Sequence, residues 1–277
     1  MKIRNTERNH VFADKIENEI PFHSLQGLTL DKNYNFSAGI EAVEYSENET
    51  VSLNTIFSFD DWKGKHCLCN ELDIPLYLLS YKHKEKTINI YEVEVNGGTV
   101  SFYTHSTKNF NDFCSWYAKL KGTIQEKPLY EADSRKSFFD NLIESNGIYW
   151  GGNIDGYIVD DDENIRCIIE TRLSNRALVN RYDPSRYFKG TYRKKGDYKT
   201  WEPLFLLAIR LEIPLFLLTF SRLTTEEKVG FSTLDSMSQD AITFQDDFPQ
   251  NNILEGVDSL RKEFETKLNL RPPRIIS

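Results

Sequence analysis

The sequence predicts an α/β protein made of two tandem units, each a mixed central sheet flanked by helices, with the N-terminal unit degenerate. Three observations predict this. Trp62–Tyr81 aligns without gaps on Trp201–Phe220: the tryptophan, Leu72/Leu211 and the Ile-Pro-Leu-x-Leu-Leu core coincide, and Asp/Glu, Tyr/Phe and Ser/Thr replace one another elsewhere. Each copy reads as a helix, a break before proline and a hydrophobic strand. In each copy a β-rich stretch and a C-terminal helix follow, Asn111–Leu120 in the first and Ile253–Leu268 in the second. A matching order of elements is what duplication leaves behind.

The elements follow in order. A helix-like stretch, Glu7–Glu19, opens the first half. A strand pair is then expected from Phe36–Val43 and Val51–Phe57 around the Ser46–Glu49 turn. The polar stretch Thr123–Pro128 lies in the boundary region, 122–133, giving domains of 1–125 and 130–277. Ser134–Ser145 reads as a helix with Phe138, Phe139, Leu142 and Ile143 on one face and Asn146-Gly147 as its stop. Two short β-branched runs follow, Asn153–Val159 and Ile165–Arg172, around Asp161–Asn164; this is a hairpin. The apolar stretch Pro203–Phe220 is interrupted by Arg210, Glu212 and Pro214, so it reads as a buried helix and strand and not a membrane span.

Composition narrows the function classes. The chain has 277 residues, 39% hydrophobic and 13% aromatic, which suffices for a real core. A net charge of −8 gives no general affinity for nucleic acid. The charge is uneven, however: residues 166–200 carry ten Lys/Arg against three acids, and residues 224–265 carry ten acids against three bases. One basic surface on an acidic chain points to an anionic partner at one place. Cys67, Cys69, Cys114 and Cys167 lack paired spacing, and His66 with Cys67 and Cys69 has no second ligand pair, so buried free thiols in a reducing compartment are expected. Met1–Thr6 lacks the apolar run of a signal peptide, and the expected location is cytoplasmic, away from membranes.

The second hairpin carries the chemistry. With its loop centred on Asp162 and Glu163, Asp155 falls across the ladder from Glu170. Facing carboxylates repel, and a fold keeps such a pair when a cation lies between them or one acid stays protonated. Arg172, two residues on, shares the face of Glu170. The bland alternative is a solvated polar edge. Placing Gly39 on Gly156 would put Ala38 at the Asp155 position and Asn54 near Glu170, so the first half is read as the same unit with its acids erased. The segment after Glu170 interleaves Arg176, Arg181, Arg186, Lys189, Arg193, Lys194 and Lys195 with Tyr182, Tyr187, Phe188, Tyr192 and Tyr198, residue types that contact phosphates and stack on bases. Trp62 and Trp201 are read as core anchors, and Glu202, matched by Lys63, as a further candidate carboxylate.

Asp155, a hairpin, then Glu170-Thr171-Arg172 resembles the PD-(D/E)XK nuclease superfamily (restriction-endonuclease-like), with Glu-x-Arg where that superfamily has Glu-x-Lys. The resemblance covers residues 134–220 and its motif is short. It implies a metal-dependent DNA endonuclease, of restriction, phage defence or a mobile element. Asp155 and Glu170 would hold Mg²⁺ or Mn²⁺, and Glu144, on the helix before the hairpin, would assist. Arg172 would clamp a phosphate, because its pKa above about 12 bars it from acting as a base. DNA is the expected partner, with RNA, a second copy and a partner protein left open. The alternative is a non-catalytic nucleic-acid-binding or protein-interaction module on the same fold.

Overall fold

A computed structural model describes residues 11–45, 52–82, 86–122, 138–145, 152–173, 188, 190–191, 194–195, 198–221, 223, 225–245 and 253–275. The protein is α/β, with mixed sheet flanked by helices. It divides into two compact units: residues 25–153, and residues 1–24 together with 154–277. The division therefore does not separate consecutive halves at 125/130.

In the 25–153 unit the strands run β1 (Phe22–Leu30, from Leu25 on), β2 (Phe36–Tyr45), β3 (Leu76–Lys82), β4 (Thr87–Asn96) and β5 (Thr99–Lys108), in that spatial order. Only β2 and β3 are parallel, and α2 (Phe59–Glu71) supplies the crossover such a pair needs. Gly97 and Gly98, at φ 58° and 82°, make the two-residue turn between β4 and β5. Helices α3 (Phe110–Leu120) and α4 (Phe138–Ser145) bury Phe113, Tyr117, Phe139 and Ile143 against Ala38, Ile40, Leu79 and Ile90. Phe138 stacks on Tyr81 at 3.7 Å, and Glu44 accepts the Phe138 N–H at 2.6 Å, which caps the start of α4.

The other unit orders β12 (Ile242–Phe244), β11 (Lys228–Met237), β10 (Leu215–Phe220), β7 (Ile165–Leu173) and β6 (Gly152–Val159, from Ile154 on), with β13 (Ile253–Glu255) and β14 (Arg274–Ile275) also on β11. β10 lies parallel to β7, with the crossover helix α5 (Tyr198–Arg210) between them. Helices α1 (Val11–Glu19) and α6 (Val257–Lys267) bury Phe12, Ile16, Leu260 and Phe264 against Cys167, Ile169, Phe216, Leu218 and Phe231. Arg261 of α6 pairs with Glu19 of α1 at 3.3 Å, and Lys15 pairs with Glu227. Strand alternation puts Ile168, Glu170 and Arg172 on the opposite face, which α5 meets.

Two helices are thus placed differently from their sequence order. The N-terminal helix packs in the unit of residues 154–277, and α4, immediately before the second hairpin, packs in the unit of residues 25–153. The first hairpin differs too. β2 pairs with β1, not with the run after Ser46, where Leu53–Thr55 forms a 3₁₀ turn closed by the Thr55 hydroxyl on Ser52 C=O. Ile253–Glu255, expected as helix, is strand β13.

The two β-hairpins have the same local construction. Asp31 and Asp160 each close the loop by accepting backbone N–H groups, from Asn33 (2.7 Å) and Asn35 (2.9 Å) in one and from Asp162 (3.1 Å) and Asn164 (2.8 Å) in the other. Tyr34 and Glu163 stand at φ 64° and 67° in these loops, and a bulge follows Thr29 in one hairpin and Ile158 in the other. Asp73 and Glu212 end α2 and α5 at φ 55° and 57°, before Pro75 and Pro214, whose carbonyls accept the N–H of Gly39 and Ile168.

Two predictions follow from this packing. A Cβ on Gly39 would stand 2.4 Å from Cys69 Sγ and 3.3 Å from Leu25 Cδ2. Gly39→Ala is expected to cost about 1–3 kcal/mol by overpacking, and Cys69→Ala in the same chain to recover part of it, measured by urea unfolding. The loop hydrogen bonds hold the Asp31 and Asp160 carboxyls below the ordinary carboxylate value, first through Asn35 and Asn164. Their contribution is complete above the unfolded-state value and is lost as pH falls through the lowered folded one. Asp31→Ala and Asp160→Ala should therefore lower the melting temperature at neutral pH and narrow the gap from wild type in acid.

Candidate functional site

The ladder between β6 and β7 runs from Val159·Ile165 to Gly156·Ile169 and stops there. Asp155 and Glu170 stand one step further on, across from each other, at the place the hairpin reading assigned them. β7 continues past this point in register with β10, Glu170 beside Leu217, Thr171 beside Leu218 and Arg172 beside Thr219. The opened ladder frees the Thr171 N–H, and Asp155 Oδ2 accepts it at 2.9 Å together with the Thr171 hydroxyl at 2.6 Å. Asp155 and Glu170 are each 1% exposed. Carboxylates this deep are retained only with hydrogen bonds or a cation close by.

Arg172 Nη2 lies 2.9 Å from Glu170 Oε1. Its guanidinium also lies over the ring of Trp201 at 5.6 Å, one turn into α5. Phe188, buried, sets its ring edge-on to Trp201 and Tyr198. Glu202 is half-buried and accepts the Tyr198 hydroxyl at 2.7 Å. Asp155, Glu170, Arg172 and the start of α5 therefore belong to one compact unit.

Glu144 does not join them within that unit. It lies on α4 in the 25–153 unit, and its side chain falls outside the described residues. In the Asp155 unit the comparable helix is α1, packed with α6 on the sheet face opposite Asp155 and Glu170. Its buried Phe12 and Ile16 repeat the spacing of Phe139 and Ile143, and the same alignment sets half-buried Glu17 at the Glu144 position. The sequence signal was present in that shared Phe-x-x-x-Ile-Glu pattern. Of the basic segment, Arg176, Arg181, Arg186, Lys189 and Arg193 lie outside the described residues, and Lys194–Lys195 form β9, paired with β8 (Gly190–Thr191).

The first hairpin holds the comparable position, but at other residues than Ala38 and Asn54. Its ladder stops at Gly27·Ile40, so the next pair is Gln26 and Glu41. Glu41 sits beside Leu78 of the parallel strand as Glu170 sits beside Leu217. The Ala42 N–H donates to Gln26 Oε1 at 3.1 Å, the bond that Thr171 gives to Asp155. Ala38 is fully buried in the apolar core and Asn54 lies in the exposed 3₁₀ turn. The second strand thus carries an acid in both hairpins, Glu41 and Glu170, while the first carries an amide, Gln26, in one and a carboxylate, Asp155, in the other. Glu41 accepts the Gln26 N–H at 3.0 Å and pairs with Lys65 of α2 at 2.9 Å, with side chains 1% and 3% exposed. Lys65 lies over Phe57, which packs edge-on to Trp62.

Asp155 and Glu170 are hard oxygen donors. Mg²⁺ is commonly held by one or two carboxylates, with phosphate oxygens and water completing the octahedron, so the donor set fits that ion. Among the described residues no three His, Cys, Asp or Glu side chains gather as metal ligands. The cysteines are all buried, and burial pushes the Cys69 thiol up to about 12 and Cys114 up to about 11, so they stay protonated. Among the described residues no helix is long and apolar enough to cross a membrane. Compared with protein-family models, curated proteins and solved structures, the chain matches none.

Lys65→Met should strand the Glu41 charge in the core and cost about 3–5 kcal/mol. Adding Glu41→Gln should recover most of that, and a urea-denaturation double-mutant cycle measures the coupling.

Proposed function

We propose that this chain is a metal-dependent DNA endonuclease, built as two restriction-endonuclease-like units of which the N-terminal one is degenerate. The repeated hairpin loop, ladder opening and crossover helix support the duplication. One observation carries the assignment of the site: Gln26 makes with a neutral amide the hydrogen bond that Asp155 makes with a carboxylate. The hairpin does not need the charge, and a buried charge is costly. Its retention opposite Glu170 is explained by a cation shared between the two acids.

In this reading Asp155 and Glu170 hold Mg²⁺ or Mn²⁺. When bound, the ion supplies Lewis acidity at a phosphoryl oxygen and acidifies a water. Arg172, held over Trp201 and against Glu170, keeps its proton at all working pH values and orients a phosphate oxygen by its fork of donors. The assisting acid that the resemblance implies, Glu144, lies on α4 in the other unit, so in this unit Asp155 and Glu170 carry the site. Phe188 packs on Trp201 of α5, and Arg176, Arg181, Arg186, Lys189, Arg193, Lys194 and Lys195 are the residues assigned to the DNA backbone. The Glu170–Arg172 pair favours a second reading, a binding module that has closed its site on itself.

Plasmid cutting in Mg²⁺ or Mn²⁺ separates the two. Asp155→Asn is expected to melt near wild type, as the Gln26 counterpart implies, while cutting falls by about a hundredfold or more. Glu170→Ala should also abolish it. Cutting that survives both substitutions would sink the site. DNA bound but left intact by the wild-type protein would establish the module.

A further inference from the structure

The matching strands β4 and β11 are finished differently at their far ends. In β11 the ladder with β10 ends at Phe216·Thr233, yet the strand stays paired beyond that point. Ser236 and Met237 meet Thr243 and Ile242 of β12 on one edge, and Arg274 and Ile275 of β14 on the other. β14 therefore lies on the edge that β10 has left, in line with β10 and before its first residue. Asp235 anchors it, pairing with Arg274 at 2.9 Å and with Arg271 at 3.1 Å.

In β4 the ladder with β3 ends at the equivalent pair, Tyr77·Glu92. β5 covers the other edge as far as Asn96·Thr99, but among the described residues no strand takes the place of β14. A cleft of about 670 Å³ stands there, lined by Glu92, Glu94 and Asn96 of β4, by Asp73 ahead of β3, and by His66 and Asn70 of α2. Two residues on from each ladder end, Glu94 holds the position of Asp235. Its carboxylate has no partner among the described residues, and no lysine or arginine lines the cleft. The last turn of α2, which carries no basic residue, adds its negative end to the potential.

We propose that this cleft is a docking groove for an extended segment of a partner protein. The segment adds to the open edge of β4 and runs parallel to it, as β14 does on β11, and sets an arginine or lysine against Glu94. Main-chain groups of β4 that face the cleft supply the pairing, and the acids select a basic sequence. The chain's own C-terminal strand has the required chemistry, but it is held by β11 and Asp235 in the other unit at the high effective concentration of a tethered segment. The occupant therefore comes from another protein. The groove is independent of the endonuclease reading, because neither Asp155 nor Glu170 takes part in it.

The probe is a labelled peptide, Arg-Pro-Pro-Arg-Ile-Ile-Ser, which copies residues 271–277, titrated into the full chain by fluorescence anisotropy. It should bind saturably. Glu94→Lys, at an exposed position, should weaken it by about tenfold or more with no fall in melting temperature. A probe carrying Arg274→Glu should reverse the order and prefer the Glu94→Lys protein. Amide NMR signals of Val93–Asn96 should move on binding while those of Leu234–Met237 stay. Absence of saturation by about 1 mM probe, movement confined to Leu234–Met237, or an affinity untouched by Glu94→Lys overturns the groove. A dimer of the chain that Glu94→Lys dissolves would put a second copy's tail in the cleft and overturn the partner protein as its occupant.

Discussion

The arrangement of the candidate site depends on the hairpin ladder opening after Gly156·Ile169. Had β6 and β7 stayed paired, the Thr171 N–H would be spent on a backbone carbonyl and Asp155 would be an ordinary cross-strand residue. Because the strands part, the freed N–H needs an acceptor, and the Asp155 carboxylate supplies it. β7 meanwhile stays paired to β10, which fixes Glu170 and Arg172 to a rigid strand while Asp155 turns inward. The same opening occurs after Gly27·Ile40, with Gln26 as the acceptor. An opening that survives in both hairpins with different chemistry is a property of the fold, and the charge at Asp155 is a property of the site.

The buried glutamate beyond each opening sets a second constraint. Glu41 and Glu170 are both 1% exposed or less, and each has a cation within 2.9 Å. The cation comes from α2 as Lys65 in one case and from the same strand as Arg172 in the other. Lys65 lies almost wholly inside, 3% exposed, whereas Arg172 is 19% exposed and reaches towards solvent. A compact ammonium in the interior neutralises its partner and offers nothing to a ligand. A guanidinium pairs with Glu170 through a rigid planar fork, and it is already engaged by the Trp201 ring on its face.

Much of this was legible in the sequence, for identifiable reasons. The register that sets Asp155 opposite Glu170 follows from turn residues and β-branched runs, although the loop joins Val159 to Ile165 and a bulge after Ile158 restores the expected pairing. The helix–proline–strand repeat was readable because both copies bury the same apolar positions. The first hairpin was misplaced because β1, Phe-His-Ser-Leu-Gln-Gly-Leu-Thr-Leu, buries both faces and so shows no clean alternation. Val51–Phe57 looked like a strand from its β-branched residues, yet local Ser and Thr hydrogen bonds turn part of it into a 3₁₀ element. Once β1 is the partner, Gln26 and Glu41 replace Ala38 and Asn54 as the counterparts of the acids.

The exchange of helices was not legible, and the reason is general. Periodicity reports which face of a helix is buried, not which sheet buries it. Phe12 and Ile16 of α1 have the spacing of Phe139 and Ile143 of α4, so either stripe suits either sheet. What separates them lies at the edges: Glu44 caps α4 and Tyr81 stacks on Phe138, while Arg261 and Glu227 hold α1. These partners are scattered through the chain and leave no local pattern. The helix that shares a unit with Asp155 is thus α1 from the start of the chain, and it packs on the sheet face opposite Asp155 and Glu170. A chain shortened at its N-terminus would therefore lose part of the core under β7 and β10, on the far side of the sheet from α5, even though the whole acidic motif remained.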